Sequence, residues 1–407
     1  MGSTVKKIAL LSGGGDCPGL NAVIRTITKT AISKYGYEVI GFVYGYRGLY
    51  HNNYVELTEE SVEDIYKEGG TILYSSNKDN LFNYMVEKNG VISKEDVSDV
   101  AIENMKKEGV DVLVVIGGDG TLTSARDFAR KGVNVIGVPK TIDNDLVVTD
   151  HTPGFGSAAR YVAASVLEMA HDTYIYNTKS VLIAEIMGRD AGWLTAASVL
   201  ARNSYSRAPH LIYLPEHPFS KEQFIEDIKA QFKQREHIVI AVSEGLRDGD
   251  GHYISAETAA VDAFGHATLS GTGKCLEGLV AEKFGCKVRS VEINVLQRCA
   301  AHMASATDIE ESWQLGLKGV ALALEGKSGE MSIVCRISDE PYQVIYDGAD
   351  VQQIANAEKK IPTAWINEAG NDVTEEMVRY LRPLIHGSVA VPEQDSMPHY
   401  LFLGEAL

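Results

Sequence analysis

The sequence predicts a doubly wound α/β fold, with two Rossmann-like units and a C-terminal appendage. Short apolar runs rich in β-branched residues recur along the 407 residues, and they are continuous rather than alternating. Such runs are buried on both faces, as strands of a parallel sheet covered by helices are. Amphipathic helical stretches separate them. Polar and glycine-rich clusters fall where each run ends, which is where ligands bind in open α/β sheets.

In chain order the runs are "KIALLS", "YEVIGFVYG", "VDVLVVIGGDG", "VNVIGVPKT", "SVLIAEIMG", "HLIYLPE" and "HIVIAVSEG". Helical patterns follow over Leu20–Lys34, Ser124–Lys131 and Gly265–Phe284. "KVRSVEINVLQRCAAHMASATDIEES" reads as a strand, an arginine-bearing turn and a helix. The polar clusters are Ser12–Asn21, Gly117–Thr121, Lys140–Asp145, Met187–Asp190 and Glu244–Gly245. Domain boundaries are expected at 1–154, 155–298 and 299–407, the last segment being helices that pack back on the domains plus the appendage.

A formal net charge of −17 disfavours nucleic acid and anionic membrane as partners, because the long-range field repels a polyanion. A small anionic substrate then needs a local basic pocket. Five cysteines without a CxxC pair read as reduced thiols, which points to a cytoplasmic location. The N-terminal apolar stretch runs straight into a glycine turn, too short for a signal-peptide core or a membrane span.

"SGGGDCPG" sets three successive glycines after the first run, so Gly14 and Gly15 can bring backbone N–H groups close to phosphate. The spacing is not GxGxxG, which removes a dinucleotide fingerprint. "GGDGT" repeats the device at Gly118, Gly120 and Thr121 and adds Asp119, a hard oxygen ligand suited to Mg²⁺. "GTGK" at Gly271–Lys274 lacks the P-loop spacing. "PKTIDND" puts Lys140, Thr141, Ile142, Asp143 and Asp145 at the end of the next run. Phosphoryl transfer needs a base for the acceptor hydroxyl, in-line positioning and cations for the transferring charge. One aspartate suits the base, the other Mg²⁺ or orientation, and Lys140 suits the cation. Arg189, Arg289 and Arg298 follow apolar runs and fit an anionic acceptor, since guanidinium recognises phosphate bidentately.

"GGGDCPGLNAVIR", "GGDGT", "PKTIDND", "MGRDAGW", "SEG" and "LQR" occur in the order and approximate spacing of the 6-phosphofructokinases, so the chain resembles that family from about Lys7 to Ile337. The resemblance implies ATP-dependent phosphorylation of fructose 6-phosphate at its 1-hydroxyl, with Mg²⁺. It implies Asp143 as general base, with Asp145, Thr141, Lys140 and Arg189 beside it, and Asp119 as the Mg²⁺-linked acid. Gly14, Gly15, Asn77, Lys78 and Gly118–Thr121 would bind the nucleotide. Thr141, Ile142, Asp143, Met187, Gly188, Arg189, Glu244, Arg289, Val295 and Arg298 would bind the sugar phosphate. Arg289 would reach across a subunit interface, implying a homodimer or homotetramer.

Donor choice rests on two positions in this resemblance. Gly120 leaves room for a nucleoside where pyrophosphate users carry Asp, whereas Lys140 is the rule in pyrophosphate users; Gly120 carries more weight because exclusion by charge and volume is harder to evade. A pyrophosphate-dependent enzyme is the alternative, and a non-catalytic regulatory paralogue the second. NAD and lipid kinases share only "GGDGT". Asn77 stands where the family has an arginine, with Lys78 beside it to supply charge. Ser180 and Val295 likewise replace family cations or rings, so acceptors other than fructose 6-phosphate, such as sedoheptulose 7-phosphate, stay open.

Overall fold

The structure, a computed structural model, describes residues 5–88, 90–255, 271–354 and 357–403. The chain begins with β1 (Lys7–Ser12), α1 (Leu20–Lys29, continued by a π turn over Thr30–Lys34), β2 (Glu38–Phe42), α2 (Tyr46–His51) and β3 (Tyr54–Leu57). A hairpin of β4 (Tyr84–Lys88) and β5 (Val91–Glu95) precedes α3 (Ser98–Lys107), β6 (Val112–Gly117), α4 (Asp119–Arg130) and β7 (Val135–Pro139). After α5 (Phe155–Tyr174) come β8 (Ser180–Ile186), α6 (Trp193–Ala197), β9 (Leu211–Tyr213), α7 (Lys221–Phe232) and β10 (His237–Ser243). Then follow α8 (Thr272–Phe284), β11 (Lys287–Glu292), α9 (Leu296–Cys299), α10 (Ala306–Leu324), β12 (Glu330–Asp339), β13 (Tyr342–Asp350) and α11 (Glu375–Leu381).

Two sheets carry the fold. The larger has the order β13-β12-β7-β6-β1-β2-β3 and the smaller β11-β8-β10-β9. Strands β2, β1, β6, β7 and β12 run parallel to one another, while β3 and β13 close the edges antiparallel. The smaller sheet is parallel throughout. Alternate residues of the central strands enter cores on opposite faces: Ile8, Leu10 and Val114 join α1, α5 and α10, whereas Ala9, Leu11 and Val115 join α3 and α4. Helix α5 also packs against β8, so one continuous core spans both sheets. The doubly wound architecture therefore follows from the continuous apolar runs. No helix among the described residues is long and apolar enough to cross a membrane.

Three local features differ from the sequence expectation. Helix α4 starts at Asp119, not Ser124, so the glycine-rich segment is itself the helix's first turn. Its low helix propensity conceals that turn in sequence. The helical pattern read from Gly265 begins, within the described residues, at Thr272; 265–270 lie outside them. The segment 299–407 supplies not only helices but the β12–β13 hairpin, which extends the first sheet beside β7. Strand β13 alternates exposed and partly covered residues, the mark of an edge strand with one face covered, and so it lacks a continuous apolar run.

Candidate active site

The strand order reverses between β1 and β6, and a cavity of about 500 Å³ opens at their C-terminal ends. One rim is backbone. Gly14 and Gly15 follow β1, and Gly118–Thr121 form the N-terminus of α4. Gly13 must be glycine here, because a Cβ would lie 2.6 Å from Thr121 Oγ1. Gly14 takes φ +87°, a left-handed conformation that costs glycine little. The N-terminal end of α4, with its positive dipole and first-turn N–H groups, lines the cavity, which favours phosphate.

Lys140 is buried under this rim, and its Nζ donates to the Gly15 carbonyl. Burial pushes its ammonium below the ordinary lysine value. Arg298 approaches from the other side, with Nη1 3.0 Å from where a Gly15 Cβ would stand. Asp16 is enclosed near both cations; burial holds its carboxyl above the usual range while Lys140 and Arg298 act against that.

The aspartate turn lines the cavity floor. The Asp143 amide donates to Thr141 Oγ1 at 3.1 Å, and the Thr141 hydroxyl donates to Asp143 Oδ2 at 3.3 Å. Thr152 Oγ1 donates to the Thr141 carbonyl at 2.7 Å, and Asn144 takes a left-handed φ of +54°. Burial, then the neighbouring Asp143, push Asp145 up to about 7, with smaller contributions from Glu358 and Asp119. Three carboxylates, Asp119, Asp143 and Asp145, thus face one cavity, and their mutual repulsion is what a hard divalent cation relieves.

Arg189 lines the opposite wall, where a side chain at Gly245 would overlap its carbonyl. Glu244 lies behind it, accepting from the Gly188 amide at 3.4 Å, and burial followed by Asp143 pushes it up to about 7. Of the residues singled out in sequence, Gly14, Gly15, Asn77, Gly118–Thr121, Lys140–Asp143, Asp145, Arg189 and Arg298 line the cavity. Lys78, Met187, Gly188, Glu244, Arg289 and Val295 are outside that lining. Lys78 and Val295 are exposed, and Met187 packs on the core. Arg289, on β11, pairs with Asp172 at 3.3 Å on the surface. Ser180 is buried, bonded to His237 at 2.9 Å. Within this one chain Arg289 is therefore spatially separate from Arg189.

Asp16, Asp190, Ala191, Ala357 and Glu358 also line the cavity and were not singled out in sequence. Asp16 and Asp190 sit inside the motifs "GGGDC" and "MGRD", where an acid beside glycine or arginine is the available signal. Ala357 and Glu358 have none.

Fold and cavity together define a two-sheet, doubly wound α/β protein whose ligand site lies at the strand C-termini. The phosphofructokinase family model matches residues 7–318, and the chain belongs to the phosphofructokinase family of kinase-type transferases. It is 48% identical over 333 residues to "ATP-dependent 6-phosphofructokinase 2" of Clostridium perfringens, covering 80% of this chain and 87% of that protein. It is 40% identical over 268 residues to "Pyrophosphate--fructose 6-phosphate 1-phosphotransferase" of Halomonas elongata, covering 65% of this chain and 64% of that one. The crystal structure of a pyrophosphate-dependent phosphofructokinase from Marinobacter aquaeolei superposes with a TM-score of 0.83 at 28% identity, covering 99% of this chain and 98% of that chain.

Proposed function

We propose that the protein transfers the γ-phosphoryl group of ATP to the 1-hydroxyl of fructose 6-phosphate, giving fructose 1,6-bisphosphate and ADP. The observation that carries this reading is that Asp143, the glycine rim and Arg189 line one cavity. Asp143 accepts the hydroxyl proton, while Thr141 and Asp145 orient it. Gly14, Gly15 and Gly118–Thr121 donate N–H groups to the phosphates. Asp119 would hold Mg²⁺, which would supply positive charge against the transferring phosphate. Arg189 takes the sugar phosphate with Arg298, and Glu244 supports the Gly188–Arg189 loop from behind. Gly120 lines the cavity without a side chain, which favours a nucleotide donor. The Lys140 ammonium is engaged by the Gly15 carbonyl, so it serves the rim with either donor. The same reading makes the protein a cytoplasmic homodimer or homotetramer.

Pyrophosphate dependence is the second reading, favoured by the presence of Lys140 in the same lining. Steady-state formation of fructose 1,6-bisphosphate, with Mg²⁺ and either ATP or pyrophosphate, separates the two. A large preference for ATP supports Gly120 as the determinant, and a preference for pyrophosphate overturns the donor assignment. Absence of product with both donors and with sedoheptulose 7-phosphate rejects the kinase reading.

A further inference from the structure

The family match ends at residue 318, yet Ala357 and Glu358, at the start of a short segment far beyond it (357–361), line the cavity. It is stitched to both sides of the site. Glu358 pairs with Leu146 as an antiparallel bridge, and the Lys359 amide donates to the Asp145 carbonyl at 2.7 Å. On the other side Trp193 Nε1 donates to the Lys359 carbonyl at 2.9 Å. Glu216 Oε1 then accepts from both Ile361 N, at 3.2 Å, and Gly192 N, at 2.9 Å.

The Lys359 side chain reaches behind the aspartate turn. Its Nζ donates to Asn144 Oδ1 at 2.9 Å, the Thr149 carbonyl at 3.2 Å and the Asp150 carbonyl at 2.7 Å. An ammonium has three protons, and here each has an acceptor. Asn144 is buried, and its Nδ2 donates to Tyr380 Oη at 2.9 Å, which in turn donates to the Asp150 carbonyl at 2.7 Å. Both ends of the Asn144 amide are thus fixed by residues outside the family match. Asn144 separates Asp143 from Asp145 in a left-handed backbone, which asparagine adopts more readily than most residues with a Cβ, so the contacts to Lys359 and Tyr380 fix the direction of its amide and the placing of the turn.

We propose that Lys359 is a positioning residue for phosphoryl transfer: it holds the Asn144 turn, and through it the carboxylates of Asp143 and Asp145, against the cavity. The proposal rests on the phosphoryl-transfer reading for its kinetic consequence, though not for its geometry. Met at this position retains the stem length and packing and removes all three donated bonds.

The test is Lys359→Met in the full chain, measured by thermal unfolding, by bisphosphate formation with each donor and by a crystal structure. A turn displaced by about 1 Å lowers kcat by about 10²-fold with KM for both substrates changed less than about threefold, because misplacement acts on the reacting geometry rather than on binding. A residue that serves stability alone lowers the melting temperature and leaves kcat of the folded fraction intact. Folded K359M with wild-type kcat, or with an unmoved turn in its crystal structure, overturns the proposal. If K359M does not fold, Lys359→Arg keeps the charge but cannot set one nitrogen on three acceptors, and the same criteria apply; failure of both to fold assigns Lys359 to stability and also overturns it. If the wild-type protein forms no bisphosphate, the functional reading fails separately. The crystal structure of the variant then decides the positioning role by whether the Asp143–Asp145 turn has moved.

Discussion

The glycine rim draws Gly14, Gly15 and Gly118–Thr121 from two adjacent strand ends, and every one of them lines the cavity. The arginine side is dispersed: Arg189 and Arg298 line the cavity, Arg289 is paired with Asp172 on the surface, and Val295 is exposed. A site made of backbone N–H groups is complete once the sheet and helix form. A site made of long cationic side chains is not: Arg289 on β11 is drawn to Asp172 of α5 instead of the cavity.

The contrast can be tested, beginning at the floor the two sides share. Asp143→Asn removes the proposed base while keeping its shape, and bisphosphate formation is expected to fall by about 10³-fold or more at unchanged melting temperature. An unchanged rate would remove the aspartate turn from the mechanism. Gly120→Asp places a carboxylate and its bulk against the α-phosphate and nucleoside of ATP; kcat/KM for ATP should drop by about 10²-fold, while pyrophosphate, which has neither, is spared. Lys140→Met takes away the bond to the Gly15 carbonyl, and a loss of about tenfold with either donor is expected from one charged hydrogen bond. If only pyrophosphate turnover falls, Lys140 belongs to donor choice and not to the rim. Arg289→Ala is expected to raise KM for fructose 6-phosphate about tenfold with melting unaffected, since an exposed pair contributes under about 1 kcal/mol. An unchanged KM would confine Arg289 to its pair with Asp172.

The smallest expected effect is on stability against pH. Asp145 and Glu244 are pushed up to about 7, and burial raises Asp308 to about 6. Between ordinary carboxylate values and these, the folded chain binds protons that the unfolded chain has released. Unfolding free energy therefore decreases as pH rises through that window. His151, which burial alone would lower but which Glu311 and Asp150 draw up to about 9, extends the same slope above the ordinary histidine value, whereas Lys359, lowered by burial to about 7, opposes it only above pH 7. Melting temperature in the absence of ligands should thus be higher at pH 5.5 than at 6.5 on the order of a few degrees, with a shallower slope in Glu244→Gln. A flat profile would mean these carboxylates are not protonated in the folded state.

The glycine rim and the aspartate turn were legible in sequence because each is a contiguous motif at a strand end, where backbone and side chain act within a few residues. The α4 start was not, since Gly118 and Gly120 hide a helical turn. Glu358 and Lys359 were illegible for a different reason: "AEKK" has no periodicity or spacing that marks it, and its role comes from a bridge to Leu146 more than two hundred residues earlier. Arg289 shows the converse, a residue whose motif is clear while its surroundings in one chain are those of a surface pair.

The β12–β13 hairpin has a consequence for how the chain is made. Strand β7 leaves the ribosome long before β12, its neighbour in the sheet, has been synthesised. Until Glu330–Asp350 emerges, β7 has an open edge and Leu146, which packs with Met331 and Ile354, lacks its cover. The first sheet therefore cannot finish folding co-translationally from its own N-terminal segment, and a fragment cut after β7 would carry the rim motifs on a sheet with an exposed, aggregation-prone strand.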